Sequence, residues 1–259
     1  MKKSNMETQK VESQKNDLDQ INKLKTKQLI YKMKFARGVS IPEYGSVKNL
    51  INEIYEQGAL SSTSNALCSA LRIINDEFIP SRMYIYYIEI GDTQNQKNII
   101  EILEILKSQG VCSEKLFPYK SGRISYFSKP PEICDKDALN NRISNYLLYN
   151  IGDLNSIKYA ITRKVGVIIT IGIYKSFLNV KEDGVVYLPN PKTYEDHNDT
   201  DDPFMGMQTL LICGYYDKPS LFTCLNSSGL NFGKNGFCYL PYNYVNNSKL
   251  TYGVCSIEK

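Results

Sequence analysis

The fold of this chain is decided by one stretch, Glu56-Gln57-Gly58-Ala59-Leu60-Ser61-Ser62-Thr63-Ser64-Asn65-Ala66-Leu67. A glutamine-glycine pair leads into small hydroxylated residues, and an apolar run from Ala66 to Ile74 follows with the three-and-four spacing of a buried helix. We therefore predict a loop that leads into a central helix at residues 63–75. The N-terminus of such a helix presents unpaired backbone N–H groups and a partial positive charge, which suits an oxyanion or an activated thiolate.

This stretch resembles the nucleophile segment of papain-like cysteine peptidases, where Gln-Gly and a few small residues precede a cysteine at the start of the central helix. The resemblance implies that Gln57 matches the glutamine of the oxyanion hole. No cysteine follows in the matching place. Counting forward from Gln57 puts the nucleophile position at Thr63, and counting back from Asn65, which resembles an asparagine in one branch of the family, puts it at Ser62. Either alternative replaces the sulfur by a hydroxyl oxygen.

Two later motifs carry the rest of the resemblance. The run Met207-Gln208-Thr209-Leu210-Leu211-Ile212-Cys213-Gly214-Tyr215-Tyr216-Asp217 is similar to the strand that begins with the family's catalytic histidine, and the match puts Gln208 at the histidine position. A neutral amide cannot accept a proton near neutral pH. The run 222–229 resembles the family's Asn-Ser-Trp-Gly segment, which implies that Asn226 is the asparagine that orients the histidine.

The single histidine of the chain, His197, is the remaining candidate for a base. It lies in a strongly polar run, residues 195–202, which is typical of a solvent-exposed loop, so we favour a non-catalytic role. The same run alternates oxygen-bearing residues like the first half of a calcium loop. However, Asp201 stands where the turn glycine is needed and Met207 where the bidentate glutamate is needed. We therefore expect no metal and no cofactor.

The composition of the chain indicates which classes of partner and which cellular compartment to expect. Of the 259 residues, 42% are apolar, which is enough for a sizeable core, and the net charge of +4 comes without a dense basic run, so we expect no nucleic-acid partner. Seven cysteines without a C-x-x-C pair favour a reducing compartment. The polar N-terminus and the absence of an apolar run of about eighteen residues predict neither secretion nor a membrane helix. We expect an intracellular (cytoplasmic) or virion location, and the Lys-, Asn- and Ile-rich composition suggests an AT-rich genome.

The resemblance implies an α+β, papain-like fold with two lobes and a cleft between them. We divide the chain into a flexible charged tail (1–28), a helical lobe (29–152) and a β-rich lobe built on antiparallel strands (153–259). Within the helical lobe we predict helices at 81–87, where the resemblance overrules a strand propensity, at 98–108 and at 137–148. Predicted strands of the second lobe cover 165–174, 209–215, 221–225, 236–240 and 250–257.

The replacement of both nucleophile and base predicts an inactive homologue, a pseudopeptidase with a binding or structural role and a protein or peptide as partner. Two alternatives remain open. One is an active hydrolase that uses Ser62 or Thr63 with a non-standard base. The other is a structural component of a larger assembly such as a virus particle. The sequence does not determine the oligomeric state.

Overall fold

A computed structural model of the chain describes residues 40–58, 60–91, 97–120, 128–191, 194 and 201–258. These residues belong to one compact unit, Met33–Lys259. The predicted tail at 1–28 and the candidate base His197 lie outside the described residues.

Helices dominate the first part of the described chain. A short 3-10 helix at Lys48–Leu50 precedes α1 (Ser62–Ile74), α2 (Arg82–Ile90), α3 (Ile99–Ser108) and α4 (Glu132–Ala138). Helix α1 is the predicted central helix and begins one residue earlier than expected. Helix α2 confirms the interpretation that overruled strand propensity: its Ser81 side chain caps the helix by accepting from the Tyr84 N–H, and most of its residues are buried.

The described strands form one antiparallel sheet, and most of them come from the second half of the chain. Its strands are β1 (Tyr44–Ser46), β2 (Asn145–Leu148), β3 (Val167–Tyr174), β4 (Phe204–Tyr216), β5 (Leu221–Leu225), β6 (Phe237–Pro241) and β7 (Thr251–Glu258), and helices α5 (Leu154–Thr162), α6 (Lys175–Leu178) and α7 (Tyr242–Val245) connect them. The order among the described strands is β2-β7-β3-β4-β5-β6, with β1 paired to β4. Strand β4 is therefore central, and it carries Gln208.

One sequence expectation is wrong in part. The helix predicted at 137–148 does not extend past Ala138, and residues 145–148 form strand β2 instead. Helix α4 begins earlier, after Pro131, whose fixed φ of −60° and extended ψ suit a helix start. Strand β2 forms because its backbone pairs with β7 along Asn145–Leu148, a long-range contact that local propensity cannot show. Together with β1, it brings two strands from the range 29–152 into the sheet.

The exposed side of the edge strand β6 is partly covered by a neighbouring segment. Val185 makes an isolated parallel bridge with Tyr239. The Val186 N–H donates to the Tyr239 carbonyl at 3.0 Å, and the Tyr239 N–H donates to the Gly184 carbonyl at 2.8 Å. The backbone of β6 is therefore hydrogen-bonded on both sides at this point.

Helix α1 packs against the sheet, and this contact sets the position of its N-terminus. Leu67, Cys68 and Ala70 of α1 are buried in the same core as Leu210, Leu211 and Ile212 of β4. Apolar burial of this kind stabilises the fold by about 25 cal/mol per Å² removed from water. As a result the first turn of α1 lies beside residues 208 and 209 of β4.

Within the described part of the chain, no helix combines the length and apolar character needed to cross a bilayer.

The capping box of α3 provides a test of the helical part. The Asn98 Oδ1 accepts from the N–H groups of Ile100 and Glu101, and the Glu101 carboxylate accepts from the Asn98 N–H at 2.9 Å. We expect Asn98→Ala to lower the free energy of unfolding by about 1 kcal/mol in urea titrations. Asn98→Asp retains the acceptor and should stay close to wild type. Equal losses in the two variants would contradict the capping role.

Candidate active site

Backbone pairing brings the first and last sequence motifs together. The Gln57 N–H donates to the Ser227 carbonyl at 2.6 Å, and the Gly229 N–H donates to the Tyr55 carbonyl at 3.1 Å. Glu56 and Ser228 form an antiparallel bridge between these two contacts. The loop before α1 and the segment after β5 thus behave as a short two-stranded ribbon, although they are about 170 residues apart in sequence.

Three of the predicted site residues meet beside this ribbon. Gln208 Nε2 donates to Asn226 Oδ1 at 2.7 Å and contacts Gln57 Oε1 at 3.4 Å. Gln208 is 7% exposed and Asn226 is 1% exposed. Gln208, at the histidine position implied by the resemblance, therefore contacts the residues at both the asparagine and the oxyanion-hole positions.

The orientation of these amides follows from one backbone donor. The Ser227 N–H donates to Asn226 Oδ1 at 2.9 Å, and a backbone N–H can only donate, so this atom of Asn226 must be the oxygen. Asn226 Nδ2 then donates to Ser228 Oγ at 3.0 Å. Because Asn226 presents its oxygen, Gln208 must approach it with its NH₂ group. We call Gln57, Gln208, Asn226, Ser227 and Ser228 the amide network.

The two nucleophile candidates lie differently with respect to β4. Thr63 Oγ1 is 3.2 Å from the Thr209 hydroxyl, which is also 3.2 Å from Thr170 Oγ1 on β3. Side chains of successive strand residues point to opposite faces, so Thr63 contacts the face of β4 opposite to Gln208. Ser62 Oγ instead accepts from the backbone N–H of Thr209 at 3.2 Å. We therefore favour Ser62 over Thr63 for the nucleophile position.

The hydrogen-bond partners of the candidate site are neutral. Within the described ranges, no titratable side chain is hydrogen-bonded to Ser62, Gln208 or Asn226. A serine hydroxyl needs an adjacent base to act as a nucleophile near pH 7. The arrangement can donate and accept hydrogen bonds, but its described members have no group that can take up the proton of Ser62.

Solved structures similar to this chain include a cysteine protease and a procathepsin. Xylellain, a cysteine protease from Xylella fastidiosa, matches with a TM-score of 0.74 and 27% identity over 85% of this chain and 87% of that chain. A digestive procathepsin L from the larval midgut of Tenebrio molitor matches with a TM-score of 0.65 and 16% identity over 90% of this chain and 75% of that chain. The chain has the papain-like fold.

The sequence comparison agrees with this fold. An uncharacterized peptidase C1-like protein from Acanthamoeba polyphaga mimivirus is 26% identical over 216 residues, which make up 75% of this chain and 66% of that protein. The chain thus spans slightly less than two thirds of this curated relative. No protein-family model matches the chain. The predicted α+β fold and the resemblance to papain-like cysteine peptidases are confirmed, whereas the assignment of individual site residues stays a prediction.

The cysteines of this papain-like chain are all buried and unpaired with one another, and all seven lie in described positions: Cys68, Cys112, Cys134, Cys213, Cys224, Cys238 and Cys255. Burial raises the pKa of the Cys213 thiol to about 12, and burial also raises the pKa of Cys255 to about 12. The pKa of Cys68, the cysteine of helix α1, is raised by burial too. The thiols of Cys68, Cys213 and Cys255 therefore remain protonated at neutral pH and are poor nucleophiles.

A cluster that sequence reasoning missed supports the loop before α1. The Arg82 guanidinium lies between two aromatic rings, 4.2 Å from the centre of Tyr55 and 4.0 Å from the centre of Tyr119. Arg82 also pairs with Glu114 at 3.3 Å, and Glu114 accepts from the Tyr119 N–H at 2.9 Å. The Tyr119 hydroxyl accepts from the Gly58 N–H at 2.6 Å. We call Tyr55, Arg82, Glu114 and Tyr119 the tyrosine–arginine brace.

The brace connects residues that are far apart in sequence. Arg82 lies in the predicted helix at 81–87, and the contact of its guanidinium with two aromatic rings can be recognised only in the folded chain. Ser227 and Ser228 belong to the run 222–229, which resembles the Asn-Ser-Trp-Gly segment. Their hydrogen bonds show that they hold the asparagine and Gln57 in place.

The brace is testable by removing its cation. Arg82→Met keeps an unbranched apolar stem but loses both ring contacts. It also leaves the Glu114 carboxylate, which is 20% exposed, with only the backbone N–H groups of residues 82 and 119 as donors. We expect a loss of about 2 to 4 kcal/mol in the free energy of unfolding, measured by urea denaturation. The exposed Arg142, replaced in the same way, is the matched control and should change stability by less than about 0.5 kcal/mol. Similar losses in both variants would contradict the brace.

The preference for Ser62 predicts which restored pair will react. In Ser62→Cys combined with Gln208→His, an imidazole beside the thiol should lower the thiol pKa, which is about 8.5 when unperturbed, and raise the rate with iodoacetamide at pH 7 roughly tenfold or more over Ser62→Cys alone. Thr63→Cys combined with Gln208→His should show no such gain. The native thiols are buried and should contribute little in the folded state. A faster reaction at position 63 would contradict our assignment.

Proposed function

We propose that the chain is a papain-like pseudopeptidase that binds a peptide segment at the amide network and does not cleave it. The observation that carries this proposal is the 2.7 Å hydrogen bond from Gln208 Nε2 to Asn226 Oδ1. The residue at the predicted histidine position keeps the partner that an orienting asparagine would offer, but its side chain is a neutral amide that cannot act as a base.

The chemistry of the family supports this proposal. Cysteine peptidases need a thiolate beside an imidazolium, and a third group that orients the ring. Here a hydroxyl and an amide stand at the first two predicted positions. In a serine protease, removal of triad members leaves a rate only about 10³ to 10⁴ times that of the uncatalysed reaction in water. This remaining acceleration comes from the oxyanion hole and from substrate binding. A chain of this kind would retain binding with little turnover.

Two features of the site favour binding over a purely structural role. Helix α1 has no side-chain cap, because the Ser61 hydroxyl contacts Tyr119 at 3.2 Å and Asn65 at 3.2 Å. Its first N–H groups therefore remain available to an acceptor such as a carbonyl oxygen. Gln57 is held in place by its backbone bond to Ser227 and by the Ser227 hydroxyl. Both features match a site that receives a peptide carbonyl.

The activity arm of the test uses the purified 259-residue chain and a positional-scanning library of fluorogenic peptides. We expect no turnover above the buffer rate between pH 5 and pH 8, and no labelling by a fluorophosphonate probe. Labelling that a Ser62→Ala, Thr63→Ala double variant abolishes would instead establish the alternative, a hydrolase with a non-standard base.

The binding arm uses an array of N-acetylated, C-amidated octapeptides of varied sequence. We expect a subset to bind, and Gln57→Ala to weaken that binding about fivefold because one charge-neutral hydrogen bond contributes about 1 kcal/mol. The exposed Gln109, replaced by alanine, is the matched control and should bind like wild type. If no peptide binds, or if Gln57→Ala has no effect, the proposal is wrong.

A further inference from the structure

Two side-chain atoms of the amide network, Gln208 Oε1 and Gln57 Nε2, have no hydrogen-bond partner among the described residues. Gln208 Nε2 is engaged by Asn226 Oδ1, and the orientation of both amides follows from the Ser227 N–H. Gln208 Oε1 therefore faces away from Asn226 and receives no hydrogen bond from the described residues. It also retains some contact with solvent, because it is not one of their fully enclosed unpaired polar atoms.

An amide oxygen in this environment requires a donor. Gln208 is 93% buried as a residue, and an unsatisfied polar group in such a position costs about 1 to 3 kcal/mol. None of the described protein groups supplies the missing hydrogen, and we assign this donor to water or to a ligand. A ligand that replaces this water must carry an N–H or O–H group, because otherwise the lost hydrogen bond lowers its affinity.

Gln57 presents the complementary group. Its Oε1 accepts from the Ser227 hydroxyl and lies 3.4 Å from Gln208 Nε2, so its Nε2 is left over and donates to none of the described residues. Two side-chain amides in contact therefore leave one donor, Gln57 Nε2, and one acceptor, Gln208 Oε1. A secondary amide carries the matching pair, a C=O acceptor and an N–H donor.

We propose that Gln208 Oε1 accepts a hydrogen bond from the N–H of a bound peptide, so that the site recognises an intact secondary amide. In this arrangement Gln57 Nε2 and the N-terminus of α1 contact a backbone carbonyl, and Gln208 contacts a backbone N–H. A protonated imidazole at this position would offer a hydrogen to that N–H and repel it, whereas the glutamine oxygen attracts it. This inference rests on the proposed peptide-binding function and specifies the group that is recognised. Esters and N-methylated amides, which lack the N–H, should be excluded.

The test uses octapeptides that bind in the array, each remade as a series in which one backbone N–H at a time is replaced by an ester oxygen. With the wild-type protein, we expect one position in the series to weaken binding about tenfold, as measured by fluorescence anisotropy. In Gln208→Met the same ester should bind as well as the parent amide, because the acceptor is gone. Gln109→Met is the matched control and should keep the wild-type discrimination.

A second variant tests the same atom without removing the contact to Asn226. In Gln208→His one ring N–H can donate to Asn226, and the other nitrogen can accept from the ligand only while the ring is neutral. The acceptor is therefore present above the pKa of the ring, about 6.5, and is lost below it. We expect peptide binding to this variant to weaken about tenfold from pH 8 to pH 5.5, while wild-type binding changes little over the same range.

The outcomes separate this inference from the proposed function. If peptides bind but no ester in the series weakens binding to the wild-type protein, or if Gln208→Met keeps the discrimination, this inference is overturned and peptide binding stands. If no peptide binds, both proposals fail. The ester series on the wild-type protein needs no substitution, so a variant that does not fold leaves the test intact.

Discussion

The hydrogen bond from the Ser227 N–H to Asn226 Oδ1 sets the polarity of the whole candidate site. A backbone donor cannot reverse its role, whereas each side-chain amide could in principle be flipped by 180°. Once the asparagine oxygen is fixed, Gln208 must donate to it, and Gln57 must accept from its neighbours. Three buried or half-buried amides thus have a single consistent arrangement. That arrangement depends on the ribbon formed by residues 55–57 and 227–229, because the ribbon holds Gln57 beside Ser227.

The tyrosine–arginine brace supplies the second support of the loop before α1. In this chain the loop is held by a guanidinium between two rings and by the Tyr119 hydroxyl on the Gly58 N–H. Contacts of this kind need no oxidising environment. They depend on a cation, however, so they are sensitive to the loss of the Glu114 partner.

The sequence was sufficient for the fold because three separated motifs kept the order and spacing of a known family, and because the apolar periodicity of α1 and α3 is strong. The resemblance named Gln57, Gln208 and Asn226 as site positions, and Gln208 contacts the other two, whereas their roles stay a prediction. Counting along the chain could not choose between Ser62 and Thr63, because the choice depends on which face of β4 each hydroxyl reaches. Strand β2 and the tyrosine–arginine brace could not be predicted from the sequence, because both depend on long-range contacts. His197 lies outside the described residues.

The covered edge of β6 has a consequence for how this protein can associate. An exposed strand edge is a template on which another chain can add a further strand, and it is a common route to aggregation and to ligand capture by strand addition. The Gly184 carbonyl and the Val186 N–H already occupy the backbone N–H and carbonyl of Tyr239 on that side. At this position the N–H and carbonyl of Tyr239 are not free to pair with a strand from a second molecule. The chain itself therefore blocks addition of a further strand there, and with it the growth of the sheet into fibres.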